Sequence, residues 1–241
     1  MKAEPFSDRA ESARSAFRPF EDFLYIWCGV TGSALMLVGL LVGHLFPPPG
    51  PQTTAAQLVA FYSAHKAGIL WGTILICFGA AMIGPWVGVL TRRMTKMGDS
   101  GRVAAYTQLG LGMLLILEVI LPIVFLQGVL FRIDDHRGDA LTLALNDTFS
   151  VLFISPAYTV IVEMLVSGIA ILRDRTRVFP RWVGVANILA VIPSIPAITI
   201  IFAKSGPFSW NGLFGWWVPI LGFGLWFWPL TVAMLRPSPR T

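Results

Sequence analysis

Residues 103–130 read VAAYTQLGLGMLLILEVILPIVFLQGVL and carry one charged side chain, Glu118. A helix needs about 20 consecutive apolar residues to cross the hydrocarbon core of a bilayer. This run exceeds that length, and it lacks the alternation of polar and apolar residues that marks a strand of an outer-membrane barrel. It therefore predicts a transmembrane helix with a carboxyl group close to its middle.

Five further apolar runs of comparable length lie at residues 23–46, 67–91, 148–172, 182–203 and 213–235. Of the 241 residues, 55% are hydrophobic and 13% are charged, whereas roughly a quarter are charged in an average soluble domain. This balance excludes a soluble enzyme, a nucleic-acid-binding module and a secreted disulfide scaffold. The sequence predicts an all-α, polytopic transmembrane helical bundle of six spans over residues 23–235, with tails at 1–22 and 236–241.

Lysine and arginine are distributed unevenly between the two sides of this bundle. Fourteen of the 18 lie in the two tails and in the second and fourth connections, and the other four are Lys66, Arg132, Arg137 and Lys204. Cytoplasmic loops of membrane proteins carry an excess of basic residues. We therefore expect both termini in the cytoplasm and contact between this basic side and anionic lipid headgroups. We expect no nucleic-acid partner.

Two acids lie deep within predicted spans, Glu118 in the third and Glu163 in the fourth. A charged acid at the bilayer centre costs about 2.5–3.5 kcal/mol on insertion scales. No Lys, Arg or His lies at a comparable depth, so each carboxyl must be protonated or face a water-filled cavity. Pro122 also leaves the Glu118 carbonyl without its helical donor. One interpretation is a proton-coupling or polar-ligand site between spans three and four. The other is a pair of neutral acids that bond to neighbouring helices.

All three histidines, His44, His65 and His136, fall on the side opposite the termini, and Asp134 and Asp135 lie close to His136 in sequence. Imidazole and carboxylate groups bind zinc or copper, and two histidines can hold a haem. The spacing matches no ligand motif. The sequence leaves open whether these residues bind a metal or are isolated interfacial side chains, and no motif implies a cofactor.

The connections on this side supply further polar candidates, namely Lys204, Asn211, Arg132 and Asp147. Lys204 could bind an anion or pair with an acid of a neighbouring loop. It could equally extend from the end of span five to the interface. Residues 53–65 predict a short amphipathic segment in the outer interface, capped by Thr53 or Thr54.

Glycines recur at a spacing of four within the first two spans, as Gly39 and Gly43, Gly68 and Gly72, and Gly84 and Gly88. Such pairs allow helix backbones to approach closely in lipid. They predict packing within the bundle and leave open a homo-oligomer.

The segments FPRWVG at 179–184 and KSGPFSWNG at 204–212, together with AFYSAH at 60–65, resemble those of an uncharacterised family of bacterial six-span integral membrane proteins. The resemblance covers most of the chain. It implies a multi-pass protein of the bacterial inner membrane, and it carries no established activity or catalytic residues.

Three functions are compatible with these patterns. The first is a small transporter or carrier of an apolar or weakly polar solute, with proton coupling through Glu118 and Glu163. The second is a non-catalytic membrane anchor or assembly subunit of a larger complex. The third is a membrane metal or haem redox protein that uses the outer His and Asp residues. An enzyme is less favoured, because the sequence has no Walker motif, no Gly-x-Ser-x-Gly and no Cys-x-x-Cys.

Overall fold

The computed structural model describes residues 6–135, 139–155 and 157–236, and within these ranges all regular structure is helical. The seven α-helices are α1 (Phe6–Val42), α2 (Ala55–Met94), α3 (Asp99–Phe131), α4 (Asp139–Ile154), α5 (Ala157–Arg173), α6 (Arg181–Ser194) and α7 (Val218–Leu235). Short 3-10 turns cover Ile133–Asp135 and Ile195–Phe202, and a π-helical turn covers Leu213–Trp217.

Six helical stretches of the described chain are long and apolar enough to cross a membrane. The fourth combines α4 with α5, the fifth combines α6 with the turn Ile195–Phe202, and the sixth combines the π-helical turn with α7. Large apolar side chains also cover the outside of the bundle, and Trp71 and Phe78, two helical turns apart on α2, are each 66% exposed. An all-α, multi-pass membrane protein fits these features, as the sequence predicts.

Several helix boundaries differ from the predicted ones. The segment 53–65, expected as a separate interfacial helix, forms the first turns of α2, because no proline interrupts residues 52–84 and because Leu58 and Tyr62 are buried against the bundle. Thr54 is its N-cap, and it forms a reciprocal capping box with Gln57. With 40 residues, α2 is about 60 Å long, twice the hydrocarbon thickness.

The ends of other spans differ as well. Helix α1 begins at Phe6, so most of the predicted polar tail is continuous with the first span. It ends at Val42, before His44, whose φ of 52° is incompatible with a continuing helix. Helix α4, the first part of the fourth span, begins at Asp139, nine residues before the predicted start of that span.

Contacts between distant residues define the two ends of the bundle. At the side where α1 begins and α7 ends, which we call the terminal side, Arg92 pairs with Asp22, and Nη1 of Arg93 lies 3.4 Å from the carbonyl oxygens of Ala233 and Arg236. At the opposite side, which we call the loop side, the indole N–H of Trp210 donates to the Pro49 carbonyl at 2.8 Å.

Glycines bring α1 and α2 into close contact along their length. A Cβ atom on Gly39 would lie 2.6 Å from the Gly72 carbonyl oxygen, and one on Gly68 would lie 2.9 Å from the Val42 carbonyl oxygen. The predicted packing role is therefore confirmed for these glycines. It is wrong for Gly88, where an added Cβ atom would meet no atom of a neighbouring helix within 4 Å.

The antiparallel order of the helices places α3 against both α2 and α5. Helix α6 then joins α5 to α7, and α7 touches α1. The second half of α1, the middle of α3, the first turn of α5 and much of α7 surround a common space inside the bundle, and this space contains the candidate site.

Candidate functional site

Glu118 lies at the middle of α3 and faces α5 across a hydrogen bond. The hydroxyl of Thr159, on α5, donates to Oε1 of Glu118 at 2.6 Å. The other carboxyl oxygen, Oε2, is buried and has no hydrogen-bond partner within the described chain. One carboxyl oxygen of Glu118 therefore links α3 to α5, and the other accepts no hydrogen bond from the described chain.

Glu163 lies one helical turn after Thr159 on α5 and is completely buried. The amide of Gln108, on α3, donates to its Oε1 atom at 3.1 Å. The hydroxyl of Thr91, on α2, lies 2.8 Å from the side-chain amide oxygen, Oε1, of Gln108. A buried polar chain thus runs from α2 through α3 to α5, and Oε2 of Glu163 has no partner among the described residues.

This polar chain continues toward α6. The Ser167 hydroxyl, one turn after Glu163, lies 2.7 Å from Oδ1 of Asn187 on α6. It also lies 2.7 Å from the Glu163 carbonyl oxygen, so its single proton serves one of the two acceptors at a time. The Asn187 amide donates to the Val183 carbonyl at 3.0 Å. Polar side chains from four helices therefore meet around Glu163.

Gly112 makes room for the Glu163 carboxyl on the surface of α3. A Cβ atom at this position would lie 3.3 Å from Oε1 of Glu163. Six residues separate Gly112 from Glu118, which corresponds to about 9 Å along the helix axis. Both predicted acids thus lie at the α3–α5 contact, which is the contact between the third and fourth spans, at different depths.

A cavity of about 410 Å³ opens beside Glu118, between α1, α3, α5 and α7. Its described wall is apolar apart from Glu118, Ser33, Ser194 and the indole nitrogens of two tryptophans. The hydroxyls of Ser33 and Ser194 bond to carbonyl oxygens one turn earlier on their own helices, at 2.9 and 2.8 Å. Glu118 is the only ionisable side chain of that wall. The cavity is within the size range of small-molecule sites, about 300–1,000 Å³.

The structure brings two of the three predicted histidines together. The ring centroids of His44 and His65 are 4.4 Å apart, and Nδ1 of His65 lies 2.9 Å from the Phe61 carbonyl oxygen. His136 lies outside the described residues. Within residues 6–135, 139–155 and 157–236, no three His, Cys, Asp or Glu side chains converge on a possible metal position.

Asp134 and Asp135 lie in the 3-10 turn that follows α3. The Asp134 carboxylate accepts a bond from the ammonium group of Lys66 at 2.5 Å. This exposed ion pair ties the turn to α2 on the loop side.

The remaining loop-side candidates are Lys204, Asn211, Arg132 and Asp147. Lys204 is exposed in the connection after the turn Ile195–Phe202, and Asn211 accepts a bond from the Ser209 hydroxyl at 3.0 Å. The Arg132 guanidinium lies 5.5 Å from the centre of the Phe131 ring. Asp147 lies 3.4 Å from the amide of Asn146, whose Oδ1 accepts a bond from the buried Tyr62 hydroxyl at 2.7 Å.

The neutral partners of the two acids, Gln108 and Thr159, are absent from the predicted site residues, as is Asn187, which bonds to Ser167. Gln108, Thr159 and Asn187 are polar side chains within predicted spans, and each is buried at a helix contact. Their signal is visible in the sequence, because an amide within an apolar run needs a hydrogen-bond partner as an acid does.

Comparison of the chain with protein-family models, with curated proteins and with solved structures gives no match.

Proposed function

We propose that this protein is a small membrane carrier that moves an apolar or weakly polar solute and couples the movement to protons through Glu118 and Glu163. The observation that carries the proposal is the apolar cavity of about 410 Å³, with the Glu118 carboxyl in its wall. A packed bundle with a purely structural role has no need for such a space at the level of its acids.

The contacts of the two acids support the coupling. Thr159 bonds to Glu118 and precedes Glu163 by one turn of α5, so a shift of this helix against α3 changes the surroundings of both carboxyls. Ionisable residues inside membrane bundles commonly belong to proton relays or ion pathways. Glu118 is the group that meets the solute, and Glu163 is the buried group that exchanges a proton.

We propose that both termini face the cytoplasm of a bacterial cell, in its inner membrane. The excess of basic residues in the tails and terminal-side turns supports the orientation. The bacterial origin rests on the resemblance of the FPRWVG and KSGPFSWNG segments.

The experiment uses purified protein in liposomes under an imposed pH gradient. Uptake is measured for a labelled panel of hydrophobic amines, alcohols and amides, with a trapped pH dye to report proton movement. We expect at least one solute to accumulate with the gradient, and Glu118→Gln and Glu163→Gln to abolish coupled uptake at unchanged folded yield.

Two results would overturn the carrier. One is uptake no faster than in protein-free liposomes for every member of the panel. The other is normal coupled uptake by both variants. Asp134→Asn, which removes an exposed carboxylate from the loop side, is the control for a general effect of charge.

A further inference from the structure

We infer that the solute is a hydrophobic monovalent cation, held by the Glu118 carboxylate and by aromatic rings of the cavity. This inference rests on the proposed function, in which the cavity holds the solute. It names the solute's charge, which the proposed function leaves open.

The charge balance of the cavity wall is the first step. Glu118 is the only ionisable group among the described lining residues, and none of them is Lys, Arg or His. An ionised Glu118 therefore has no cationic partner in the wall. Its Oε2 atom accepts no hydrogen bond from the described chain, so among the described residues the Thr159 hydroxyl on Oε1 is its one hydrogen-bond donor. A positive charge in the cavity would supply the missing counter-ion.

The aromatic composition of the wall is the second step. Five of the lining residues are aromatic, namely Phe46, Phe153, Trp216, Phe223 and Trp228. Aromatic faces attract cations, most strongly when the cation is out of water, and tryptophan is the best of the three ring types. A carboxylate beside aromatic rings selects a cation that has an apolar body.

The arrangement of these rings is the third step. Phe46, in the connection after α1, and Phe153, on α4, both lie against Trp216, and their ring centroids are 5.9 and 6.3 Å from that of Trp216. This cluster lines the cavity, while Glu118 lies at the middle of α3. A solute with one charged centre and aromatic or aliphatic groups can contact both at once.

The same chemistry gives a simple basis for exchange with protons. Ionised Glu118 binds the cation, and a proton on Glu118 removes the charge that holds it. Cation and proton then occupy the carboxylate alternately, and the net charge at this position stays close to zero in both states. This reduces the cost of charge within the bilayer.

Binding is tested with tetraphenylphosphonium, a hydrophobic cation, and with tetraphenylborate, an anion of the same shape. Equilibrium binding is measured on the full chain in lipid nanodiscs, with empty nanodiscs as the blank. We expect saturable binding of the cation and none of the anion. Glu118→Gln should weaken cation binding by about ten- to a hundredfold, as for loss of a bond to a charged group. Asp134→Asn, which lies outside the cavity, should leave it unchanged.

A second variant distinguishes loss of the negative charge from misfolding. Glu118→Asp keeps the charge and should retain cation binding better than Glu118→Gln. Equal binding of both probes by the unaltered protein, or equal cation binding by the unaltered protein and Glu118→Gln, would overturn the inference. So would the absence of any saturable cation binding.

The binding and uptake experiments together distinguish failure of the cation site from failure of the carrier function. If the protein takes up a neutral solute with protons but does not bind the cation, the cation site is wrong and the carrier stands. If the cation binds in a Glu118-dependent manner but no solute of the panel moves, the cation site stands and the carrier is wrong.

Discussion

The amide of Gln108 donates a hydrogen bond to Oε1 of Glu163 across 3.1 Å, and both side chains are fully buried. This bond joins α3 to α5 at a depth that solvent does not reach, so water cannot replace it. Gln108 therefore reduces the free-energy cost of burying the Glu163 carboxyl.

Replacing Gln108 with Leu should therefore destabilise the protein. The change leaves Glu163 with neither carboxyl oxygen bonded, which costs about 1–3 kcal/mol for a buried polar group. Reversible unfolding in mixed micelles measures the free energy. Within a Glu163→Leu background, Gln108→Leu should cost clearly less, because the acid that needs the amide is gone. Equal costs in the two backgrounds would show that the bond has no energetic role.

The contact between α1 and α2 gives a matched pair of glycine substitutions. Gly39→Ala places a methyl group 2.6 Å from the Gly72 carbonyl oxygen, and such overpacking costs about 1–3 kcal/mol. Gly88→Ala meets nothing within 4 Å, so it should be neutral or slightly stabilising, since alanine is the better helix former. Thermal unfolding of the solubilised protein distinguishes them. Equal melting temperatures for the two variants would argue against tight α1–α2 packing.

The turn between α5 and α6 depends on one carboxylate. Asp174 is buried and accepts bonds from the backbone N–H groups of Thr176 and Val178, both at 2.8 Å, and from the Thr176 hydroxyl at 2.6 Å. Asp174→Ala should cost about 1–3 kcal/mol, because it removes a charged acceptor that three hydrogen bonds of the turn share. Asp134→Ala breaks an exposed ion pair and should cost about 0–1 kcal/mol. Urea-dependent unfolding that ranks the two variants in the opposite order would contradict this role of the turn.

The proposed orientation predicts which connections are reached from outside the cell. In a chain with Cys28 and Cys77 replaced by Ala, Ser205→Cys on the loop side should react with a membrane-impermeant maleimide in intact cells. Thr95→Cys on the terminal side should react only after the membrane is permeabilised. The reverse pattern would place both termini outside.

The sequence indicates the number of spans because each span must satisfy its backbone hydrogen bonds within itself and must be apolar to enter lipid. Both requirements are local, so six apolar runs are enough to predict six membrane-spanning stretches. The residues at which the helices begin and end depend also on contacts with other helices. The start of α2 at Ala55 depends on burial of Leu58 and Tyr62 against other helices, and a hydropathy pattern does not report such burial.

The two acids of the site show the same difference between what local sequence predicts and what contacts between helices decide. Their position inside spans marks Glu118 and Glu163 as unusual from sequence alone, because charge is costly in lipid. Their partners Thr159 and Gln108 come from another helix in each case, and 41 and 55 residues of chain separate the members of the two pairs. Only the packing of α3 against α5 decides which hydroxyl or amide meets which carboxyl.

The sequence by itself determined the membrane-spanning class, the number of spans, the asymmetry of basic charge and the presence of two intramembrane acids, because each follows from the transfer of individual residues between water and lipid. The tertiary structure decided that one acid lines an aromatic cavity while the other is enclosed by Gln108, Gly112 and α5. Helix rotation and register fix these neighbours, and both depend on side chains packing over the whole bundle.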